Sequence, residues 1–239
     1  MPAPDRGDLL PDLDIIWLRA PRKSRGGRPP LSQDQIVRAA IELADASGLD
    51  AVSTRNVASQ LGVAAASLYW HVSGKGDLYE LMFDAIIGEI ELPAVNGGWR
   101  DSLRAIARST RVMFQHHPWA ILLGVQPGLG PNNQRYAQAA LTALADLAPD
   151  PSLQVEALAL LNNYLFGFAH RESAWQRARN NSGLDDAQWD ARLRRYVDHI
   201  ADQAPATAQV LSAHLRLASD ESFDVGLECL LDGISARFT

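Results

Sequence analysis

We predict an all-α fold for this chain of 239 residues. Three features predict it: apolar residues recur at helical spacing from Ser32 onward, segments with Pro and Gly separate these runs, and no run alternates as a strand does. A composition that is 47% hydrophobic can fill a sizeable core. The length suits one small and one medium domain. We place them at residues 31–76 and 77–239, after an N-terminal extension at residues 1–30.

The first domain has the spacing of a helix-turn-helix. Helix 1 opens at Ser32, with Gln35 three residues later as its capping-box partner, and Gly48 closes it. Helix 2 starts at Ser53 or Thr54, Gly62 supplies the tight turn, and helix 3 follows at once. The sequence therefore predicts a three-helix helix-turn-helix domain.

Helix 3 presents an unusual outer face. Leu68 and Val72 are four residues apart and should face the other two helices. Ser67 and Trp70 should then face the solvent, with Tyr69 and His71 on the flanks of the helix. A face of this kind suits a DNA groove, and Lys75 directly follows it. Periodicity alone also allows a plain helical hairpin with Tyr69 and Trp70 in its core.

Residues 19–30 form a basic arm in front of the helix-turn-helix. They hold five cations and no acid, namely Arg19, Arg22, Lys23, Arg25 and Arg28. Arg on a flexible tether fits the narrow minor groove of A/T-rich DNA. A solvated linker is the alternative, but a groove helix with an arm in front repeats the homeodomain arrangement. Although the net charge of the chain is −6, residues 19–82 contain more cations than acids.

The rest of the chain is predicted to be helical, beginning with a linking helix at about residues 76–92. A helix over residues 151–179 is apolar nearly all round at its centre, so we expect it to be covered on several sides. The last helix has a broad apolar stripe, made of Phe223, Leu227, Leu230, Leu231, Ile234 and Phe238. These two helices from two chains could pack as a four-helix bundle, or they could pack within one chain.

Polar side chains interrupt the long apolar helix. Asn162 and Asn163 lie in its centre, and His170 lies seven residues beyond Asn163. Such groups can orient a small molecule in a mostly apolar pocket. Alternatively, the second chain or buried water satisfies them. The sequence leaves both interpretations open.

No enzyme, metal or cofactor is expected. The acidic segment from Asp185 to Asp190 resembles a magnesium motif, but Asp in the first turn of a helix is ordinary capping, and no second acidic motif follows. The histidines lack the spacing of a helical zinc site, and no phosphate-binding Gly-rich loop occurs. Because Cys229 is the single cysteine and no targeting signal precedes the arm, we expect a cytoplasmic protein without membrane contact.

These motifs resemble those of a known family. Residues 31–93 resemble the DNA-binding domain of the tetracycline-repressor family through Leu31–Ala44, Leu61-Gly62-Val63, Leu68–Val72 and Asp77–Met82. The later segments His117-Pro118-Trp119, Gly130-Pro131-Asn132 and Phe223–Phe238 are similar to the ligand-binding and dimerisation domain of its antibiotic-responsive branch. The resemblance implies a homodimeric transcriptional repressor that leaves a palindromic operator when a small hydrophobic or aromatic ligand binds. A constitutive architectural DNA-binding protein without a ligand is the alternative.

The resemblance also implies roles for residues. Arg55 would read a base, while Thr54, Ser67, Tyr69 and Lys75 would hold phosphates. The full predicted DNA-binding set is Arg22, Lys23, Arg25, Arg28, Thr54, Arg55, Ser67, Tyr69, Trp70, His71 and Lys75. The predicted ligand-binding set is His117, Trp119, Asn133, Tyr136, Asn163, Phe166 and His170. The chain departs from the family at Ala65 and Ala66, which make no side-chain hydrogen bonds, so operator choice should depend on Arg55, the arm and DNA shape.

Overall fold

The structure is a computed structural model, and it describes residues 16–19, 31–93, 98–123, 128–213 and 219–238. These residues contain ten α-helices and no strand, which confirms the predicted fold class. The helices are α1 (Gln33–Ser47), α2 (Thr54–Gln60), α3 (Ala65–Leu68), α4 (Lys75–Ile87), α5 (Gly98–His116), α6 (Pro131–Leu144), α7 (Pro151–Ser182), α8 (Asp186–Ile200), α9 (Pro205–Ala213) and α10 (Asp220–Phe238). The chain divides into two units, one made of Met1–Gly88 with Leu122–Gln134 and the other of Glu89–Ile121 with Arg135–Thr239.

The first unit begins with the capped helix that the sequence predicts. The Ser32 hydroxyl accepts a hydrogen bond from the Gln35 N–H at 3.1 Å, and the Gln35 side chain accepts one from the Ser32 N–H at 2.9 Å. Ser53 caps α2 in the same way through the Asn56 N–H. Gly48 and Gly62 adopt positive φ values of 80° and 65°, where a side chain would be strained. Local sequence therefore sets both ends of α1 and both ends of the short α2.

Two boundaries in this unit differ from prediction. The regular helix α3 stops at Leu68, because the His71 N–H turns back to the Leu68 carbonyl at 2.8 Å in a tighter three-residue step. α4 covers Lys75–Ile87 and packs against α1. The linking helix is predicted to end at about residue 92, whereas α4 ends at Ile87, and the compact unit that contains it runs to Gly88.

In the second unit, α7 packs against α5 and α10. Asp150 caps α7 at its start, and Gly183 ends it in the left-handed conformation. One face of α7 is buried through Leu161, Leu165 and Phe168. The opposite face is exposed among the described residues of the single chain, so these residues alone do not give α7 the cover on several sides that the sequence predicts. Large exposed apolar side chains of these two helices are Val155 and Leu160 of α7 and Val225 of α10.

The acidic segment after α7 is structural. Asp185 caps α8 by accepting the Gln188 N–H at 2.8 Å, and the Gln188 side-chain oxygen accepts a hydrogen bond from the Asp185 N–H at 3.0 Å. Asp186 forms an ion pair with Arg179. Among the described residues, no group of three His, Cys, Asp or Glu side chains could hold a metal ion. Within the same ranges, no helix has the length and apolar character that crossing a bilayer requires.

Candidate nucleic-acid interface and effector site

Two aromatic side chains stand out from the first unit directly after α3. Tyr69 is 55% exposed and Trp70 is 69% exposed, whereas the neighbouring Leu68 and Val72 are buried. Because the chain buries the two aliphatic residues and leaves the two rings in solvent, the alternative of a hairpin with a Tyr-Trp core is wrong. Large exposed rings cost hydration free energy, so this surface suits a partner that covers it.

Three further residues predicted to contact DNA lie at the starts of α2 and α4 in the first unit. Thr54 and Arg55 are the first two residues of α2, and the Arg55 side chain is exposed. Lys75 is the first residue of α4, is exposed, and has its Nζ 5.1 Å from the centre of the Tyr79 ring. Ala66 is exposed and offers only a methyl group. Arg55 is thus an exposed guanidinium at the start of α2, whereas Ala66 offers no side-chain hydrogen bond.

The remaining predicted DNA-binding residues are Ser67 and His71 of the folded domain and four cations of the arm. Ser67 and His71 are half-buried, and the His71 carbonyl accepts a hydrogen bond from the Gln33 side chain at 3.4 Å. The arm residues Arg22, Lys23, Arg25 and Arg28 lie outside the described residues.

A short segment that ends at the first residue of the arm, Ile16–Arg19, docks on the rest of the first unit, and the sequence analysis did not predict it. Trp17 donates its indole N–H to the Glu80 carboxylate, and Arg19 donates two hydrogen bonds to Asp77. Partial burial raises the pKa of Asp77, but hydrogen bonds from Arg19 and from the Ser73 N–H outweigh this effect and hold the pKa below its usual value. The only sequence signal was the short apolar run that ends at Leu18.

Asp84, a buried carboxylate of α4, organises the start of α6. It accepts the Asn133 N–H at 2.9 Å, the Asn132 N–H at 3.3 Å and the Asn132 side-chain amide at 3.1 Å. The Asn133 side chain donates to the Gly128 carbonyl. A small cavity of about 20 Å³ adjoins these residues and is lined by aromatic and apolar side chains with Asp84 and Asn133. Asn133, predicted to bind ligand, is thus a structural partner of Asp84 within the first unit.

In the second unit, Tyr136 and Asn162 form a polar pair. The buried Tyr136 hydroxyl donates to the Asn162 side-chain oxygen at 2.7 Å. Burial raises the pKa of this phenol to about 12, and the nearby Thr110 hydroxyl lowers it only in part. The phenol therefore stays protonated at neutral pH and acts as a hydrogen-bond donor. Of the two adjacent amides, Asn162 and not Asn163 pairs with the predicted site residue Tyr136.

Aromatic and imidazole rings make up two further contacts of the second unit. The Phe166 ring meets the Phe114 ring edge to face at 5.0 Å. His117 is buried, lies 3.0 Å from the Glu89 carboxylate, and has its ring 5.7 Å from the Trp119 ring.

Asn163 and His170 do not join these contacts. Both are exposed on α7 in the single chain, on the side opposite Leu161 and Leu165. The positions of the seven predicted ligand-binding residues thus fall into three groups. Four belong to aromatic and polar contacts inside the second unit, one belongs to the Asp84 cluster, and two lie on the outer face of α7.

The chain matches two family models. Residues 36–82 match the model described as bacterial regulatory proteins, tetR family, and residues 92–238 match the tetracyclin repressor-like, C-terminal domain. The matched segments include α4 up to Met82 and the whole helical region from α5 to α10.

Relatives and solved structures agree with these models. The chain is 35% identical over 233 residues to the HTH-type transcriptional repressor DrrR1 of Streptomyces coeruleorubidus, covering 95% of this chain and 86% of that protein. It is 26% identical to the class E tetracycline repressor protein of Escherichia coli, over 87% and 92% of the two chains. The structure resembles ActR of Streptomyces coelicolor in complex with actinorhodin, with a TM-score of 0.76, 30% identity, and coverage of 87% and 97%.

The order of the two matched domains is the one that the sequence motifs predicted. The predicted partners, which are operator DNA, a small-molecule effector and a second copy of the chain, are confirmed at the level of the family. By these matches, the chain belongs to the tetracycline-repressor family of helix-turn-helix transcriptional regulators.

Proposed function

We propose that this protein represses transcription by binding a palindromic operator as a homodimer and that a small aromatic molecule releases it. The observation that carries the proposal is the exposure of the Tyr69 and Trp70 rings beside buried Leu68, which places two large aromatic side chains on the surface of a helix-turn-helix. DrrR1 is named a transcriptional repressor, and ActR has been solved with actinorhodin bound, which supports both halves of the proposal.

The proposed operator contacts divide into two kinds. Arg55 reads a base edge, because a guanidinium can donate two hydrogen bonds to guanine. Thr54, Ser67, Tyr69 and Lys75 hold phosphates, which sets the register on the duplex without selecting sequence. Trp70 and His71 lie beside these contacts, and the cations Arg22, Lys23, Arg25 and Arg28 of the arm enter the minor groove.

The proposed effector contacts lie in the second unit. Tyr136 and its partner Asn162 offer a hydroxyl and an amide, while Phe166, Trp119 and His117 offer ring faces and edges. Pockets of this composition bind flat molecules that carry a few polar groups. We therefore propose a polycyclic aromatic effector with hydroxyl or carbonyl groups at its edge.

The dimer is proposed to form through α7 and α10. Their exposed apolar residues would lie in water if the chain stayed alone, and two such helix pairs can pack as a four-helix bundle. Asn163 and His170 lie on the exposed side of α7, so any contact that they make with an effector depends on the second copy. Asn133 would act on the effector through the start of α6, where Asp84 holds it.

A regulator of this kind performs no chemical step on its effector, and its DNA target places its action in the cytoplasm. The alternative, a constitutive DNA-binding protein, shares the first unit but needs no effector. A thermal-shift screen against aromatic compounds separates the two, because a ligand that binds only the folded state raises its melting temperature.

Titration of effector into the protein–operator complex tests the site. Actinorhodin is the first compound to try, since it occupies the related ActR structure. Tyr136→Phe removes the hydroxyl that pairs with Asn162, and it should raise the concentration needed for release while leaving operator affinity within a few fold. Tyr196→Phe makes the same change at an exposed position of α8 and should alter neither quantity. Equal effects of the two substitutions would place the effector elsewhere.

A further inference from the structure

Residues 72–74 form the bend that joins the two exposed aromatic rings to α4. Gly74, the N-cap residue of α4, has no side chain that could accept the free N–H groups of the first turn. The Asp77 carboxylate instead reaches back and accepts the Ser73 N–H at 2.6 Å. Because this carboxylate closes the bend, its position decides how the chain enters α4 at Lys75.

Lys75 is the first residue of α4, and the next turn of the same helix holds its side chain. The Lys75 Nζ lies 5.1 Å from the centre of the Tyr79 ring, and the Tyr79 hydroxyl donates to the Leu49 carbonyl at 3.3 Å. A cation–π contact orients an exposed ammonium group and leaves its charge in place. The bend and the Tyr79 ring together therefore set where the Lys75 charge lies.

Arg19 fixes the carboxylate that closes the bend. Its guanidinium donates to both oxygens of Asp77, and the two side chains are 25% and 15% exposed. A two-point contact of this kind fixes the orientation of a carboxylate as well as its position. The Asp77 Oδ2 atom accepts hydrogen bonds both from Arg19 and from the Ser73 N–H. One carboxylate oxygen thus ties Arg19 to the bend.

Residues Ile16–Arg19, which we name the docked segment, place the Arg19 side chain on α4. The first residue of the segment is buried, and the Trp17 indole N–H donates to the Glu80 carboxylate. Glu80 lies three residues after the acid that Arg19 binds, so both acids share one face of α4. Leu18, in the same segment, is 80% exposed. Contacts other than its own ion pair therefore bring Arg19 to this helix.

We propose that Arg19 is a positioning residue for operator binding. It holds the Asp77 carboxylate, the carboxylate holds the bend, and the bend presents Lys75 to a phosphate of the operator. A lysine that is already held in its binding geometry loses less conformational freedom when it binds. Arg19 acts in this way through the protein and makes no contact with DNA of its own. The inference rests on the proposed contact of Lys75 with phosphate.

The test is a pair of double-mutant cycles built on Arg19→Gln. The probe is a fluorescein-labelled duplex that carries the DNA protected by the wild-type protein upstream of its gene, and binding is measured by fluorescence anisotropy at fixed salt. We expect Arg19→Gln to weaken binding of the otherwise wild-type chain by about three- to tenfold, the cost of ordering a long side chain on binding.

The same substitution should cost less than about twofold in two other backgrounds. In Asp77→Asn the ion pair with Arg19 is already gone, and in Lys75→Ala the ammonium that the bend presents is absent. A direct contact of Arg19 with DNA predicts the opposite, which is an undiminished loss in both backgrounds.

Two control variants separate the position of Arg19 from its charge and from its segment. Arg38→Gln removes the same charge from an exposed position of α1, and Leu18→Ala changes the exposed residue of the docked segment. Neither should change affinity by more than about twofold. Amide exchange at Ser73 reports the bend directly and should become faster in Arg19→Gln, while exchange at buried Ala40 of α1 should stay as in wild type.

Four results would overturn the proposal. Arg19→Gln could bind as tightly as wild type, or it could lose the same factor in all three backgrounds. Arg38→Gln could weaken binding as much as Arg19→Gln, which would leave net charge as the cause. Faster exchange at Ala40 as well as at Ser73 would mean that Arg19 acts through the fold of the whole unit.

Failure of the Lys75 contact itself is seen separately. Lys75→Ala would then bind as tightly as wild type, which would refute both the phosphate contact and the inference built on it. If Lys75→Ala weakens binding but Arg19→Gln does not, the phosphate contact stands and the role of Arg19 is refuted alone.

Discussion

Replacing Asp84 by Asn should destabilise the protein far more than its small change in shape suggests. Asp84 is 5% exposed and accepts three hydrogen bonds, two on one carboxylate oxygen from Asn132 and one on the other from the Asn133 N–H. Asn keeps one acceptor oxygen and turns the other into an NH₂ donor. In its best orientation it retains the two bonds from Asn132 and places the NH₂ against the Asn133 N–H.

The magnitude follows from the one bond lost. A hydrogen bond to a charged group contributes about 1.5–3 kcal/mol, so the loss of the bond from the Asn133 N–H costs about that much. For a chain of this size, 1 kcal/mol lowers the melting temperature by about 2–4 °C, so a fall of about 3–12 °C is expected.

The assay is thermal unfolding at neutral pH and equal protein concentration, since the melting temperature of a dimer depends on concentration. Asp224→Asn is the matched control, because this carboxylate is 45% exposed and pairs with Arg108 at 3.1 Å. An exposed pair of this kind contributes at most about 1 kcal/mol. If Asp84→Asn lowered the melting temperature no more than Asp224→Asn, the three hydrogen bonds would not stabilise the start of α6.

Three further predictions concern the operator, the arm and the buried phenol. Lys75→Ala should weaken binding to all sequences alike, whereas Arg55→Ala should also flatten the ranking of operator variants in competition assays; an unchanged ranking would exclude base reading by Arg55. Deleting residues 1–28 should flatten the log–log salt dependence of operator affinity by several units, at about 0.9 per phosphate contact, while deletion of residues 1–15 keeps the docked segment Ile16–Arg19 and the arm and should not. Because the pKa of Tyr136 is raised to about 12 in the folded state, stability should be intact below pH 10 and fall by up to about 3 kcal/mol as the pH rises through 12. In denaturant titrations, Tyr136→Phe should lack this part of the loss of unfolding free energy at alkaline pH. An identical loss in the wild-type protein and the variant would contradict the raised pKa of Tyr136.

Local signals predicted the first domain well. Ser32 with Gln35, Gly48, Ser53 and Gly62 mark helix ends by interactions between residues close in sequence, and the structure has each of them. Such signals need no tertiary information, because a cap or a positive φ is satisfied within a few residues.

Features that depend on distant contacts were harder to predict. Asn162 and Asn163 are adjacent, and which of them meets Tyr136 depends on the rotation of α7 against α5 and α6. The docked segment Ile16–Arg19 was missed because Trp17 and Arg19 find partners about sixty residues away, and nothing near them in sequence predicts Glu80 or Asp77. The helix α7 was expected to be covered on several sides, but its outer face is exposed among the described residues, and we propose that the second chain covers it.

Protection mapping of operator DNA, with and without effector, bears most directly on the proposed repression and release. The first step is to map the DNA upstream of the gene with wild-type protein, and the second is to repeat it across a series of polycyclic aromatic compounds that includes actinorhodin. We expect two protected major-groove segments with two-fold symmetry, about 34 Å or a multiple of that distance apart, and loss of both together when an effector binds. Protection that persists unchanged while a compound demonstrably binds the second unit would contradict ligand-controlled release from the operator.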